Sequence, residues 1–333
     1  MTGAESVLIT AAHAGVEMCF ANPGTTELPL VAALDQLREI RPVLCLFEGV
    51  CTGAADGYGR VKGKPAMTIL HLGPGLANGI ANLHNARRAR TPVVNIVGEH
   101  TTWLKPHDPP LNMDIEGLAK AIPGWQKQSE SADELSADTA WAICNSLYGQ
   151  VSTLIVPADI QSALVGAGQI TAREFAFNPV SEEMMPHAVS IIQEAANPAL
   201  ILGGRALGRK GLEAAAQIKA KSGCDLIMMT FPSLFEAGAG LPVLKRIPYF
   251  PDEARKLLKK YDAFILVGAG EPTAFFGYSD GIISLLPDKA PRLRLDTNRQ
   301  DAAEVLRELS LALGPEAPSG ELKAVLARPD IPH

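Results

Sequence analysis

Pro42-Val43-Leu44-Cys45-Leu46-Phe47-Glu48 leads directly into Gly49-Val50-Cys51-Thr52-Gly53-Ala54-Ala55-Asp56-Gly57-Tyr58-Gly59-Arg60. The six residues before Glu48 have the length and apolar composition of a buried parallel strand, and those after it read as a helix with small residues on one face. Gly49, Gly53 and Gly57 fall on one helical stripe, where another backbone can approach closely. Helical glycine is costly relative to alanine, so close approach is the expected purpose of the stripe. A carboxylate at such a strand-to-helix junction needs a partner or a task, unless the helix dipole alone has placed it there. Glu48 is therefore the residue to explain.

The same order of strand, polar residue and helix recurs on either side. Upstream, a helix over residues 4–14 ends at Gly15, and a strand from Val16 to Phe20 runs into Ala21-Asn22-Pro23-Gly24-Thr25-Thr26-Glu27-Leu28-Pro29. This is a turn with a hydroxyl N-cap and an acidic residue in the first turn of the next helix. Loops at the carboxyl ends of parallel strands are where α/β folds bind ligands, so Thr25 and Thr26 are candidate pocket residues. Downstream, Lys64 to Leu70 reads as a strand ending in His71, followed by the turn Gly73-Pro74-Gly75 and a helix that carries Asn78. His71 would project from the same sheet edge as Glu48. Thr91 to Gly98 makes a fourth strand, and Glu99 to Asn112, with His100, Trp103 and His107, is long for a structureless connection.

Helices over 115–122 and 133–149 and a strand from Val151 to Val156 complete a first domain at residues 1–160, with 161–184 as a linker. A second domain over 185–315 begins with a helix at 184–196 and the strand Ala199–Gly203, continues through a helix at 212–221 and strands at 225–229, 262–268 and 292–295, and closes with a helix near 300–313. Residues 316–333 form a Pro-rich tail leading towards a further domain. The fold class is α/β, with two doubly wound parallel-sheet domains. Gly203-Gly204-Arg205-Ala206-Leu207-Gly208 has the look of a dinucleotide turn, but its spacing is not G-x-G-x-x-G and no acidic residue ends the next strand.

At 333 residues the chain has room for two domains, each with its own core. The net charge of −6 and the lack of a dominant Lys/Arg cluster argue against nucleic acid or an anionic membrane as partner. The five cysteines contain no C-x-x-C and no zinc-ligand spacing, and they read as reduced core residues. With neither a signal peptide nor a membrane-length apolar run, a cytoplasmic location is expected.

Taken together, Phe20-Ala-Asn-Pro-Gly-Thr-Thr-Glu-Leu-Pro29, Phe47-Glu48-Gly49 with Ala54-Ala-Asp-Gly-Tyr-Gly59, and His71-Leu-Gly-Pro-Gly75 with Asn78 resemble the thiamine-diphosphate (ThDP) enzymes of the acetolactate synthase, benzoylformate decarboxylase and pyruvate oxidase superfamily. The resemblance covers the pyrimidine-binding and central domains of that superfamily. It implies that Glu48 hydrogen-bonds the cofactor's pyrimidine ring and promotes the imino tautomer that removes the thiazolium C2 proton. The resulting ylid adds to a 2-oxo acid, and the thiazolium acts as electron sink for loss of carbon dioxide. The resemblance also makes His71 a proton-handling residue, as in benzoylformate decarboxylase. Pro23, Gly24, Thr25, Gly73 and Asn78 become cofactor-pocket positions. The Gly73-Pro74-Gly75 form with Asn78 is similar to acetolactate synthases, whereas Glu99 stands where those enzymes usually carry Gln.

Family members hold the diphosphate and Mg²⁺ on a third domain through Gly-Asp-Gly and a later Asn-Asn, and neither word occurs here. No metal ligand is assigned in this chain, which by itself is expected to be inactive. The third domain would come in cis, from a longer polypeptide, or in trans, from a partner chain as in sulfopyruvate decarboxylases. Some relatives hold FAD on the central domain, and no residue here demands it. The resemblance implies a homodimer or homotetramer with the active site between subunits. The alternatives are a non-catalytic two-domain subunit that binds or regulates a partner, and a nicotinamide dehydrogenase using the Gly203–Gly208 turn.

Overall fold

The computed structural model describes residues 1–166, 170, 173–238, 240–279 and 281–315. The Pro-rich tail at 316–333 and part of the expected linker, at 167–169 and 171–172, lie outside the described residues. Two compact units divide the chain, the first spanning Met1–Ala176 and the second beginning at Phe177.

In the first unit α1 (Gly3–His13) starts from a capping box at Thr2, whose hydroxyl accepts from the Glu5 N–H while the Glu5 carboxylate accepts from the Thr2 N–H. There follow β1 (Met18–Asn22), α2 (Leu28–Gln36), β2 (Arg41–Leu44), α3 (Glu48–Lys62), β3 (Ala66–Leu70), α4 (Leu72–Ala89) and β4 (Val93–Glu99). The unit continues with α5 (Ile115–Lys120), β5 (Trp125–Gln128), α6 (Leu135–Ser146), β6 (Val151–Pro157) and α7 (Ala158–Ser162). All six strands are parallel, in the order β2-β1-β3-β4-β6-β5.

The period-two alternation of a strand divides the central residues between two cores. Met67, Ile69, Val94, Ile96, Leu154 and Val156 pack with α1, α2 and α6 on one face. Ala66, Leu70, Val93, Val97, Val151 and Ile155 pack with α3, α4 and α5 on the other. Burial on both faces explains why these strands read as continuous apolar runs.

The second unit repeats the plan with α8 (Met184–Glu194), β7 (Pro198–Leu202), α9 (Arg209–Ser222), β8 (Asp225–Met228), β9 (Lys245–Arg246), α10 (Pro251–Leu258), β10 (Ala263–Val267), β11 (Arg292–Arg294) and α11 (Ala302–Ala312). Its parallel strands run β11-β10-β7-β8-β9. Leu200, Leu202, Ile265 and Val267 face one core, and Ala199, Ile201, Phe264 and Leu266 face the other. Gly203 and Gly268 bring the ends of β7 and β10 together, since a Cβ on Gly268 would lie 2.1 Å from the Gly203 carbonyl oxygen. The glycine of the turn at 203 thus serves strand packing.

Three local expectations are corrected. The apolar run Pro42–Phe47 is not a buried strand: β2 is an edge strand that pairs with β1, Leu44 is 75% exposed and Leu46 is 92% exposed. An apolar run has the same composition whether it lies at a sheet centre or at an edge. Secondly, the Gly49/Gly53/Gly57 stripe is not the place of closest backbone approach, because a Cβ on Gly53 would meet only the Asn82 side chain, at 3.0 Å, and one on Gly57 would meet nothing within 4 Å. That role falls to Gly59, where a Cβ would sit 2.7 Å from the Pro92 carbonyl oxygen. Thirdly, Gly73-Pro74-Gly75 is the first turn of α4 rather than a separate turn, and a proline there forfeits no intrahelical hydrogen bond. Strands β5 and β9 and helix α10 also lie outside the expected elements, being too short for a periodic signal to emerge.

Asp56 closes the fold around α3. Its carboxylate accepts from Arg60 Nε at 2.8 Å and Nη2 at 2.6 Å, and from the Thr91 hydroxyl at 2.7 Å, joining the helix to the entry of β4. Asp56→Ala breaks this nearly buried set of charge-assisted bonds and is expected to lower the unfolding free energy by about 2–3 kcal/mol, read as a fall in the urea midpoint at constant m-value.

Candidate active site

In a parallel sheet every strand delivers its following loop to one edge. Register sets Asn22 beside Leu70 and Leu70 beside Val97, so the loops after β1, β3 and β4 open side by side. The connection after β1 leads outward to β2, whereas the connection after β3 leads the other way to β4. The β1/β3 boundary is therefore the topological switch point, where the two loops part and leave a crevice.

His71 and Glu27 meet at this crevice. His71 is the last residue before α4, and the chain bends there through Leu72, which is buried with a left-handed φ of 52°. A branched residue in that region costs about 1–2 kcal/mol, so the surrounding packing must hold it. The imidazole Nδ1 lies 2.8 Å from Glu27 Oε2 and 3.2 Å from Thr26 Oγ1. Glu27 is wholly buried, its Oε2 accepting from the Gly24 N–H at 2.8 Å and its Oε1 from the Thr26 hydroxyl at 2.5 Å. Two glycines make room for the pair: a Cβ on Gly24 would lie 2.2 Å from His71 Nδ1, and one on Gly98 would lie 1.7 Å from Glu27 Oε1.

Glu48 opens α3, where the helix N-terminus favours a negative charge. Its Oε2 accepts from Asn78 Nδ2 at 3.0 Å. That pairing follows from the packing of α3 on α4, in which Thr52 donates to the Gly79 carbonyl at 3.0 Å and Asn82 donates to the Gly49 carbonyl at 2.7 Å. Residues 75, 78, 79 and 82 share one face of α4, so this seam turns Asn78 towards Glu48. Gly75 stands between the two titratable groups: a Cβ there would lie 3.3 Å from Glu48 Oε1 and 3.5 Å from His71 Cβ.

Of the residues singled out in the sequence, the structure thus brings Glu48, Asn78 and His71 together beside Gly75, with Gly24 against the His71 ring. Gly73 packs under Met113, at 2.4 Å from its would-be Cβ to the Met113 Cβ. Pro23 is half-buried between Asn22 and Gly24, and Thr25 is exposed at the start of a single 3-10 turn, Thr25–Glu27. The hydroxyl that meets His71 belongs to Thr26. Sequence reasoning passed over Glu27, reading it as an ordinary first-turn acid; the turn at 23–26 separates it from β1, so the cue that marks Glu48 and His71 is missing there. At the end of β4, buried Glu99 accepts from the His100 N–H at 2.8 Å and pairs with Lys105 Nζ at 2.7 Å.

Residues 1–118 match the model of the thiamine pyrophosphate enzyme N-terminal TPP binding domain. The IlvX chain of Mycobacterium tuberculosis, whose given name marks it provisionally as an acetolactate synthase large subunit, is 40% identical over 98% of this chain and 65% of its own length. Residues 1–118 thus belong to the N-terminal domain family of the thiamine-diphosphate-dependent enzymes.

Other relatives are more distant. The acetolactate synthase large subunit of Corynebacterium glutamicum is 24% identical over 98% of this chain and 52% of its own length. Benzoylformate decarboxylase of Pseudomonas aeruginosa is 30% identical over 57% of this chain. The fold is that of the Rhodococcus jostii ThDP-dependent 4-hydroxybenzoylformate decarboxylase, with a TM-score of 0.80 at 22% identity, covering 98% of this chain and 66% of that one. The chain thus spans between about half and two thirds of the length of these full-length relatives.

The contact at Gly98 gives a direct check on the Glu27 seat. A methyl in Gly98→Ala must displace the Glu27 carboxylate, and the overpacking is expected to cost about 1–3 kcal/mol in urea unfolding, whereas an alanine at open, helical Gly57 is expected to raise stability slightly.

Proposed function

We propose that this chain is the cofactor-activating part of a ThDP- and Mg²⁺-dependent enzyme that decarboxylates a 2-oxo acid and then either joins the acyl anion to a second carbonyl or protonates it. In this reading the first unit is the pyrimidine-binding domain and the second the central domain. The observation that carries it is the Glu48 carboxylate, fixed on Oε2 by Asn78 and faced on Oε1 by a residue without a side chain, Gly75.

The residues present suit the pyrimidine end of the cofactor. Glu48 offers a carboxylate oxygen as acceptor, and the missing Cβ at Gly75, beside Glu48 Oε1, leaves room for a flat ring. When bound, ThDP supplies the electron sink for decarboxylation. Glu48 would hold the pyrimidine end and share a proton with it, Asn78 would keep that carboxylate in place, and His71 would move a proton at its outer nitrogen. In this reading Mg²⁺ and the diphosphate are assigned to a third domain, in cis or in a partner chain, because neither Gly-Asp-Gly nor Asn-Asn occurs in this sequence, and this chain alone is assigned an inactive state.

Exposed Leu44, Leu46, Phe47 and Val50 surround Glu48, which supports a homodimer or homotetramer in which this edge is covered. The cytoplasmic assignment draws on five buried free cysteines, and among the described residues no helix is long and apolar enough to cross a membrane.

Two measurements test the proposal. The complete enzyme, meaning the natural polypeptide together with any partner chain that supplies the third domain, is expected to release carbon dioxide from a panel of 2-oxo acids with Mg²⁺ only when ThDP is present. In that complete enzyme Glu48→Gln is expected to lower turnover by about 10²-fold or more while the circular dichroism spectrum stays unchanged. Activity of the variant within a few-fold of the parent would remove Glu48 from the chemistry.

A further inference from the structure

We infer that Glu27 is the positioning residue of His71, fixing the imidazole as the Nδ1–H form so that Nε2 is the nitrogen that exchanges protons. The role of His71 in turnover rests on the function proposed above. The geometry of the pair does not.

The inference follows from counting donors and acceptors around a buried carboxylate. Two donors and the imidazole Nδ1 converge on Glu27: the Gly24 N–H at 2.8 Å from Oε2, the Thr26 hydroxyl at 2.5 Å from Oε1, and Nδ1 at 2.8 Å from Oε2, whose role depends on the tautomer. With a donor on each oxygen the carboxylate is read as an acceptor throughout, and a backbone N–H cannot reverse its role. The Thr26 hydroxyl has one proton, directed at Glu27 Oε1, so towards His71 Nδ1, 3.2 Å away, its oxygen can act only as acceptor. Both neighbours of Nδ1 are acceptors, and Nδ1 must carry the proton. Nε2 then holds the lone pair, or a second proton when the ring is charged, on a side chain that is 23% exposed.

The cage also fixes the ring's place. Gly24 and Gly98 close on the imidazole and the carboxylate so tightly that neither position admits a Cβ, while Glu27 lies at the carboxyl ends of β1 and β4 and His71 at that of β3. A shift of the ring would leave a buried charge with one donor fewer, at a cost typical of an unsatisfied buried acceptor. The arrangement is that of a base oriented by a third group. No bond is made or broken by Glu27, whose part is to decide which nitrogen is free.

Imidazole ¹⁵N–¹H correlation spectra of the natural polypeptide, with the His71 signals assigned by their loss in His71→Gln, test this directly. The expected result is the neutral Nδ1–H tautomer with a slowly exchanging proton. Glu27→Gln, which keeps an oxygen for the Gly24 N–H but removes the charge, is expected to give mixed tautomers. In the complete enzyme it should lower kcat by about 10²–10⁴-fold with KM changed only a few-fold, and Glu27→Asp should restore part of the loss.

An Nε2–H tautomer in the parent protein would overturn the inference, as would a Glu27→Gln variant with unchanged tautomer and kcat. If Glu27→Gln fails to fold, the tautomer of the parent still decides. If no 2-oxo acid is turned over, the function proposed above fails while the spectra still judge the Glu27–His71 pair.

Discussion

A carboxylate taken wholly out of water must be met by polar partners, and Glu27 is met by the Gly24 N–H, the Thr26 hydroxyl and the His71 imidazole. Satisfying it ties three strand ends together, because these partners come from the loop after β1 and the residue after β3, while its bulk rests against Gly98 near the end of β4. Glycine at 24 and 98 and the left-handed turn at Leu72 are the local concessions that this seat requires. The switch-point crevice owes its shape to that group of contacts, and the strand order puts them where the two departing loops leave space.

Glu48 is held by a different device. Its position depends on the α3–α4 seam, where Thr52 and Asn82 each bond a carbonyl of the opposite helix and so fix the axial register of the pair. Asn78 reaches Glu48 because it shares a face with Asn82, one turn away. Gly75, on the same face, lies between this seam and the His71 turn. The two halves of the site are thus held by different contacts, one set on strand ends and the other on a helix pair, and they adjoin at a residue with no side chain.

The sheet centres were legible in the sequence because strands buried on both faces must be apolar at every position, as in β4 and β6. His71 was legible because a titratable residue just past such a strand is costly without a task, and Glu48 because the apolar run before it gave the same cue although it proved to be an exposed edge. Glu27 comes only after the turn at 23–26 and had a second explanation, an acidic residue in a helical first turn. The run at 42–47 misled for the opposite reason: composition reports what a segment could bury, and the exposed Leu44 and Leu46 bury little within this chain.

By itself the sequence determined the α/β class, the order of the principal strands and helices, and the placing of Glu48 and His71 at strand-to-helix junctions, since these follow from local patterns of polarity and turn residues. Tertiary structure alone decided which junctions adjoin. Strand order set Glu27 against His71, forty-four positions apart, and helix packing set Asn78 against Glu48. It also moved the close helix contact from the Gly49/Gly53/Gly57 stripe to Gly59. Hydrogen bonds between residues far apart in the chain are fixed by where the backbone elements lie in space, and local sequence carries no record of that distance.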